Sequence, residues 1–358
     1  MFGKQADQKA GEGAAAIQAG GSADNATINQ TNNYGLTVTV DDIRALARDS
    51  FRADFMQLLG QAGDIAEARA NRVTESFLER LQAENPAGIN QTNTPDFRYA
   101  LLSAQKAQAR SGDENLEKLL VELLIERSRE QERSLQQIVL NEALDVAARL
   151  TTEQVSALTL SFVMRRTKST GVLDMAGFLR VIIENAMPFF SNAKLSVASF
   201  SHLAFTGCGV VEMGEAKLAH CLTESYPELW QRGFSLDDPT VQALSEEARS
   251  IIRPSQNNPG KYEVIGGAVE SSKEIRSHYI TSEADLVLVN ELLSRGKISH
   301  EEIKSRCIAA LPQFADLFDL WDNTSMKNFS PSSIGIAIAH ANITRAVPHF
   351  GPLSIWIN

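Results

Sequence analysis

The chain has 358 residues, 43% hydrophobic and 22% charged, with 34 Lys and Arg against 44 Asp and Glu, so its formal net charge is −10. That hydrophobic share excludes a disordered chain, and the length suggests about two domains. The acidic balance and an aromatic share of 7% disfavour a protein whose main task is gripping nucleic acid by phosphate neutralisation or base stacking.

Residues 1–35 hold eight Ala, six Gly and eight Asn or Gln, with Ile17, Ile28 and Tyr34 nearly the only bulky anchors. Such a segment cannot fold alone. It reads either as a disordered tail or as an oligomerisation element. In the second reading Ala16-Ile17-Gln18-Ala19 and Ala26-Thr27-Ile28-Asn29-Gln30 form short alternating strands, and copies from several protomers stack through Ile17, Gln18, Ile28, Asn29 and Tyr34. The pentapeptide Ile-Asn-Gln-Thr-Asn at 28–32 recurs at 89–93.

From Leu36 onward helix signals dominate, giving a helical domain over 36–190 and a mostly helical one over 191–358. Thr39-Val40-Asp41-Asp42 spells a capping box. Ile43, Leu46, Ala47, Phe51, Phe55, Leu58 and Leu59 then repeat at helical spacing. A second stripe runs Ile65, Arg69, Val73, Phe77, Leu81 to a break at Pro86-Ala87-Gly88. Thr94-Pro95 opens the next helix and Gly112 closes it. Leu116, Leu119, Leu120, Leu123 and Leu124 form the cleanest amphipathic run, and the charged stretch Glu126 to Arg133 is expected to continue it as a solvated face. Thr151-Thr152-Glu153-Gln154 opens another helix, which Arg165 to Gly171 interrupts.

The second half is more broken, with glycine turns at 207–214, a strand pair around Lys261 to Ile265 and helices at 283–295, 299 onward, 311–322 and 332–345. The last of these is apolar on every side and is therefore expected to be buried, with Gly335 and Ala339 allowing close approach of another helix. Leu353 to Ile357 alternates like a strand and could pair with Leu36 to Val40. The expected fold class is mostly α, a multi-helix body with short strands at the leader and the C-terminus.

Cys208, Cys221 and Cys307 make no CxxC pair and no disulfide framework. No apolar stretch reaches the ~18 residues of a membrane span, so the chain reads as soluble, cytoplasmic and without a transmembrane segment.

Familiar catalytic motifs fail on particular residues. Gly209 and Gly214 have phosphate-loop spacing, but Glu215 and Ala216 stand where Lys and Ser or Thr must be. His300-Glu301-Glu302-Ile303-Lys304 lacks the second histidine of a zinc protease. His202, Cys208, His220 and Cys221 cluster at no standard zinc spacing. The least implausible catalytic contributors are Cys208, His202 and Glu215; a buried thiol, a satisfied histidine and a solvated helix acid are the plainer readings of each. Arg165, Arg166 and Lys168 form the compact basic patch where an anion would first be sought. No cofactor and no metal is called for.

Several segments resemble a family of uncharacterised bacterial cytosolic proteins: the IQAGG-type leader, Tyr34-Gly35-Leu36, Asp49 to Phe55, Pro95 to Leu101, Phe205-Thr206-Gly207-Cys208-Gly209, Ser333 to Ala339 and the terminal Leu353-Ser354-Ile355-Trp356-Ile357. The resemblance implies no particular activity. Similar leaders also occur on proteins associated with mobile elements and phage defence, which implies a setting of bacterial antiviral defence. The resulting expectation is a non-enzymatic, self-assembling helical sensor or scaffold that forms homo-oligomers and binds a protein partner. A hydrolase or nuclease with a site assembled from distant residues is one alternative. A membrane-acting effector exposing the 332–345 helix is another, although His340 and Arg345 count against it.

Overall fold

The computed structural model describes residues 39–54, 62–170, 172, 174–193, 195–265, 280 and 282–358, all within one compact unit. The leader, with Ile17, Gln18, Ile28, Asn29 and Tyr34, lies outside the described residues, as do Phe55, Leu58 and Leu59. The described body is mostly α, as the periodicity predicts. Helices α1 (Val40–Asp54), α2 (Gly63–Glu84), α3 (Pro95–Ser111), α4 (Glu114–Arg129), α5 (Leu135–Ala147) and α6 (Thr152–Arg166) come first. Then follow α7 (Met175–Asn185), α8 (Met187–Phe190), α9 (Val197–Phe205), strand β1 (Gly209–Val211) and α10 (Leu218–Ser225). After two one-turn helices, Pro239–Gln242 and Glu246–Arg249, come strands β2 (Ile252–Pro254) and β3 (Tyr262–Val264), helices Glu283–Gly296, His300–Ala310 and Phe314–Asp322, strand β4 (Phe329–Pro331) and the terminal helix Ser333–Thr344.

Helix starts lie where the capping residues put them. The Thr39 hydroxyl accepts from Asp42 N–H at 3.2 Å while the Asp42 carboxylate accepts from Thr39 N–H at 2.9 Å, satisfying two donors that a helix start leaves open. Thr94 caps α3 through Phe97 N–H at 3.3 Å, and Thr151 and Gln154 form a second capping box at α6. Leu119, Leu120, Leu123 and Leu124 of α4 are buried as their stripe requires.

Residues 335–343 of the terminal helix are all buried, because this helix, apolar all round, packs against α4, α5 and α6. The strand around 261–265 is β3, which pairs antiparallel with β2 and sets Glu263 opposite Arg253. Strands β1 and β4, more than a hundred residues apart in sequence, also pair antiparallel, with Val210 opposite Ser330.

Two expectations are corrected. The stretch Glu126 to Arg133 is not one solvated helical face: α4 ends at Arg129 and Glu126, Arg127 and Ser128 are buried, while Arg129 and Gln131 to Arg133 are exposed as expected. Arg127, only 1% exposed, ties three helices together. It bonds Asp96 of α3, donates to Asn141 Oδ1 of α5 at 2.9 Å and stands over the Phe97 ring at 5.6 Å. Charge in a sequence does not imply water when each nitrogen of the group finds a partner.

The C-terminal tail is not a strand either. Leu353–Ile355 forms a 3₁₀ turn, and Val40 already belongs to α1. Trp356 draws the tail inward, donating its indole N–H to the Arg166 carbonyl at 2.8 Å and stacking on Phe350 at 5.5 Å. One such anchor satisfies the indole and half-buries its ring together, which a two-stranded pairing at the chain end would not.

Candidate functional site

On α4, Lys118, Glu122, Glu126 and Arg129 follow at spacings of four, four and three, so they share one helix face. Ser76, Arg80 and Glu84 of α2 stand across from them, and Pro188 and Phe189 of α8 close one side. The terminal helix brings His340, Asn342 and Thr344, and the loop beyond it Arg345 and Phe350. Together these residues line a cleft of about 1060 Å³. A neighbouring cavity of about 530 Å³ shares Pro188, Phe189, Asn342 and Arg345 with it.

The acids of the cleft are paired within the protein, four carboxylates sharing three arginines. Arg80 bonds Glu84 and Glu122, each at 2.7 Å. Arg129 pairs with Glu126, and Arg72 reaches Glu117 at 3.0 Å. Burial pushes the Glu126 carboxyl above the ordinary carboxylate range, with Arg129 and His340 opposing the shift.

Two cations of the cleft differ from these. Among the described residues neither Arg345 nor Lys118 has an ion-pair partner. Arg345 Nη1 donates only to neutral oxygens, the Asn115 carbonyl at 3.3 Å and Asn342 Oδ1 at 3.2 Å. Burial pulls its guanidinium below the ordinary value, Glu122 opposing and Arg80 adding to the shift.

His340 is 2% exposed, with Nε2 at 2.8 Å from the Gly351 carbonyl. A carbonyl oxygen only accepts, so Nε2 carries the proton. The other ring nitrogen, Nδ1, is buried and has no partner.

The sequence-predicted residues lie elsewhere and serve local contacts. Cys208 is buried, its thiol pushed up by burial and partly held back by the Thr206 hydroxyl, which donates to Sγ at 3.5 Å. Burial raises the Cys221 thiol to about 11 and the Cys307 thiol to about 12, values at which thiolate is scarce near neutrality. His202 Nδ1 meets Gln154 Nε2 at 3.0 Å. Glu215 is exposed, and the hydrogen bond from Lys327 at 2.8 Å holds its carboxyl below the ordinary range. None of these contacts joins Cys208, His202 and Glu215 to one another.

In the basic patch, Arg165 bonds the Lys327 carbonyl and stands over Trp321 at 5.9 Å. Arg166 donates to Ser330 Oγ at 2.9 Å. Both arginines thus brace β4 and its approach, while Lys168 is exposed. Of the phosphate-loop pair, Gly209 is explained by packing, since a Cβ there would lie 2.5 Å from the Ser330 carbonyl oxygen; the neighbouring Gly207 has φ +81°, a region that L side chains rarely enter.

A second group of exposed apolar residues lies on α9 and β1, which pack together, and on the turn after β1. Val197, Phe205, Val210, Val211 and Met213 are all exposed there. Phe205 is 87% exposed, whereas Phe200 on the same helix is 1% exposed.

No catalytic motif spells the cleft. Its signal in the sequence is the polar interruption His340 and Asn342 in an otherwise apolar helix, because buried polar groups must find partners, together with the charged stripe on α4. No curated protein and no solved structure matches the chain. A protein-family model described only as ":-like" matches residues 37–357, so the chain belongs to that family.

Proposed function

We propose that the protein is a non-enzymatic sensor or scaffold of bacterial antiviral defence that acts by self-assembly. The observation that carries this reading is the group of exposed apolar side chains on α9, β1 and the turn after β1. Large apolar side chains left in water mark contact surfaces, and a phenylalanine standing almost free on the same helix as a buried one is the sort of aromatic anchor that interfaces use. The separate, locally satisfied settings of Cys208, His202 and Glu215 agree with a binding role. In this reading the leader, through Ile17, Gln18, Ile28, Asn29 and Tyr34, joins protomers, and the α9–β1 surface receives a neighbouring copy or a protein partner.

Light scattering over a concentration range tests it. The full-length chain is expected to form an assembly whose mass falls when residues 1–35 are removed and falls again with Phe205→Glu, while the helical circular dichroism of the body stays the same. Equal small masses for all three proteins would sink the assembly reading.

A further inference from the structure

The cleft between α2, α4 and the end of the terminal helix is much larger than an ion. Its volume of about 1060 Å³ is near the upper end of small-molecule sites, about 300–1000 Å³. We propose that this cleft binds a phosphate-bearing small molecule, with Arg345 and Lys118 holding the phosphate.

Charge pairing selects the two residues. Glu84, Glu117, Glu122 and Glu126 each have an arginine partner. The positive charges left without a carboxylate among the described residues of the cleft are those of Arg345 and Lys118. A guanidinium has five donors, and Arg345 spends one nitrogen on two long bonds to neutral oxygens. Its remaining donors form the planar fork that a bidentate oxyanion fills. Lysine adds a compact point charge, so the pair suits a phosphate dianion better than a single carboxylate.

His340, buried to 2% exposure in the same wall, donates Nε2–H to the Gly351 carbonyl at 2.8 Å and so ties the end of the terminal helix, next to Arg345, to the chain that follows it. Phe189, Phe350 and Pro348 offer an apolar wall for the rest of the ligand. The inference does not rest on self-assembly: phosphate binding and solution mass are separate readouts, and either can fail alone.

The test is calorimetric titration of the full-length protein with inorganic pyrophosphate at low salt. Saturable binding is expected, weakened at least about tenfold by Arg345→Met and several-fold by Lys118→Met, and unchanged by Arg166→Met. Lys118 is exposed, so its variant keeps the fold even where the Arg345 variant does not. No saturable binding, or binding that Arg166→Met abolishes and the two cleft variants leave intact, would overturn the proposal.

Discussion

Glu126 shows how a single side chain can carry a pH dependence. Its carboxyl loses water to burial, and that penalty outweighs the attraction of Arg129 and His340, so its pKa in the folded protein lies above the ordinary value of 4.5. The folded state therefore holds this proton more tightly than the unfolded chain. The stabilisation it gives is fully present below 4.5 and is lost as the pH rises through the folded value. Glu126→Gln keeps the shape and removes the titration. The melting temperature of this variant, minus that of the wild type, is expected to rise between about pH 4 and pH 7. A flat difference would mean that the Arg129 pair offsets burial in full. Arg127, one residue on, is the contrasting case: it is more deeply buried yet fully partnered, so its charge serves to join α3, α4 and α5.

At the scale of elements the decisive contact is between the terminal helix and the backbone before β1. A Cβ added at Gly335 would lie 2.9 Å from the Cys208 carbonyl carbon and closer still to its oxygen, with Leu158 of α6 at 3.1 Å. Alanine normally stabilises a helix over glycine by about 1 kcal/mol, but forcing an extra carbon into a filled site costs about 1–3 kcal/mol. The obstacle here is backbone, which cannot swing aside. Gly335→Ala is therefore expected to destabilise the protein, read as a lower urea midpoint at unchanged slope; a higher midpoint would show that the helix can slide.

Much of this level was legible in the sequence. The Thr39, Thr94 and Thr151 caps, the leucine stripe of α4 and the burial of the helix around Gly335 follow from local chemistry and spacing alone. The burial of Glu126, Arg127 and Ser128 did not, because a charged stripe looks the same whether it faces water or another helix. The tail at Trp356 reads as a strand by alternation, yet one indole bond and one ring stack decide its turn. The cleft was hidden for a related reason: Lys118, Arg345 and His340 are far apart in sequence and share no motif, and only the packing of the terminal helix beside α4 brings them together.

For the whole molecule, the question is whether the described body unfolds as one unit. One continuous cluster of buried side chains runs from Ile43 to Ile357, and the terminal helix lies against α4, α5 and α6, so the end of the chain is part of the core built by its beginning. A division near residue 190 into independently stable halves would have to withdraw that helix and expose its apolar faces. Trp230, Trp321 and Trp356 all follow that point, whereas α1 to α6 precede it. Tryptophan fluorescence therefore reports on the later part of the chain, and far-UV circular dichroism draws much of its signal from the earlier part. Coincident urea transitions by the two probes are expected, the standard sign of one cooperative unit. The smaller buried cluster of Val241, Leu244, Ile251 and Leu292 contains no tryptophan, so its early opening would leave the fluorescence midpoint in place. A fluorescence transition clearly separated from that of the circular dichroism would instead mean that the two halves of the chain hold their structure independently.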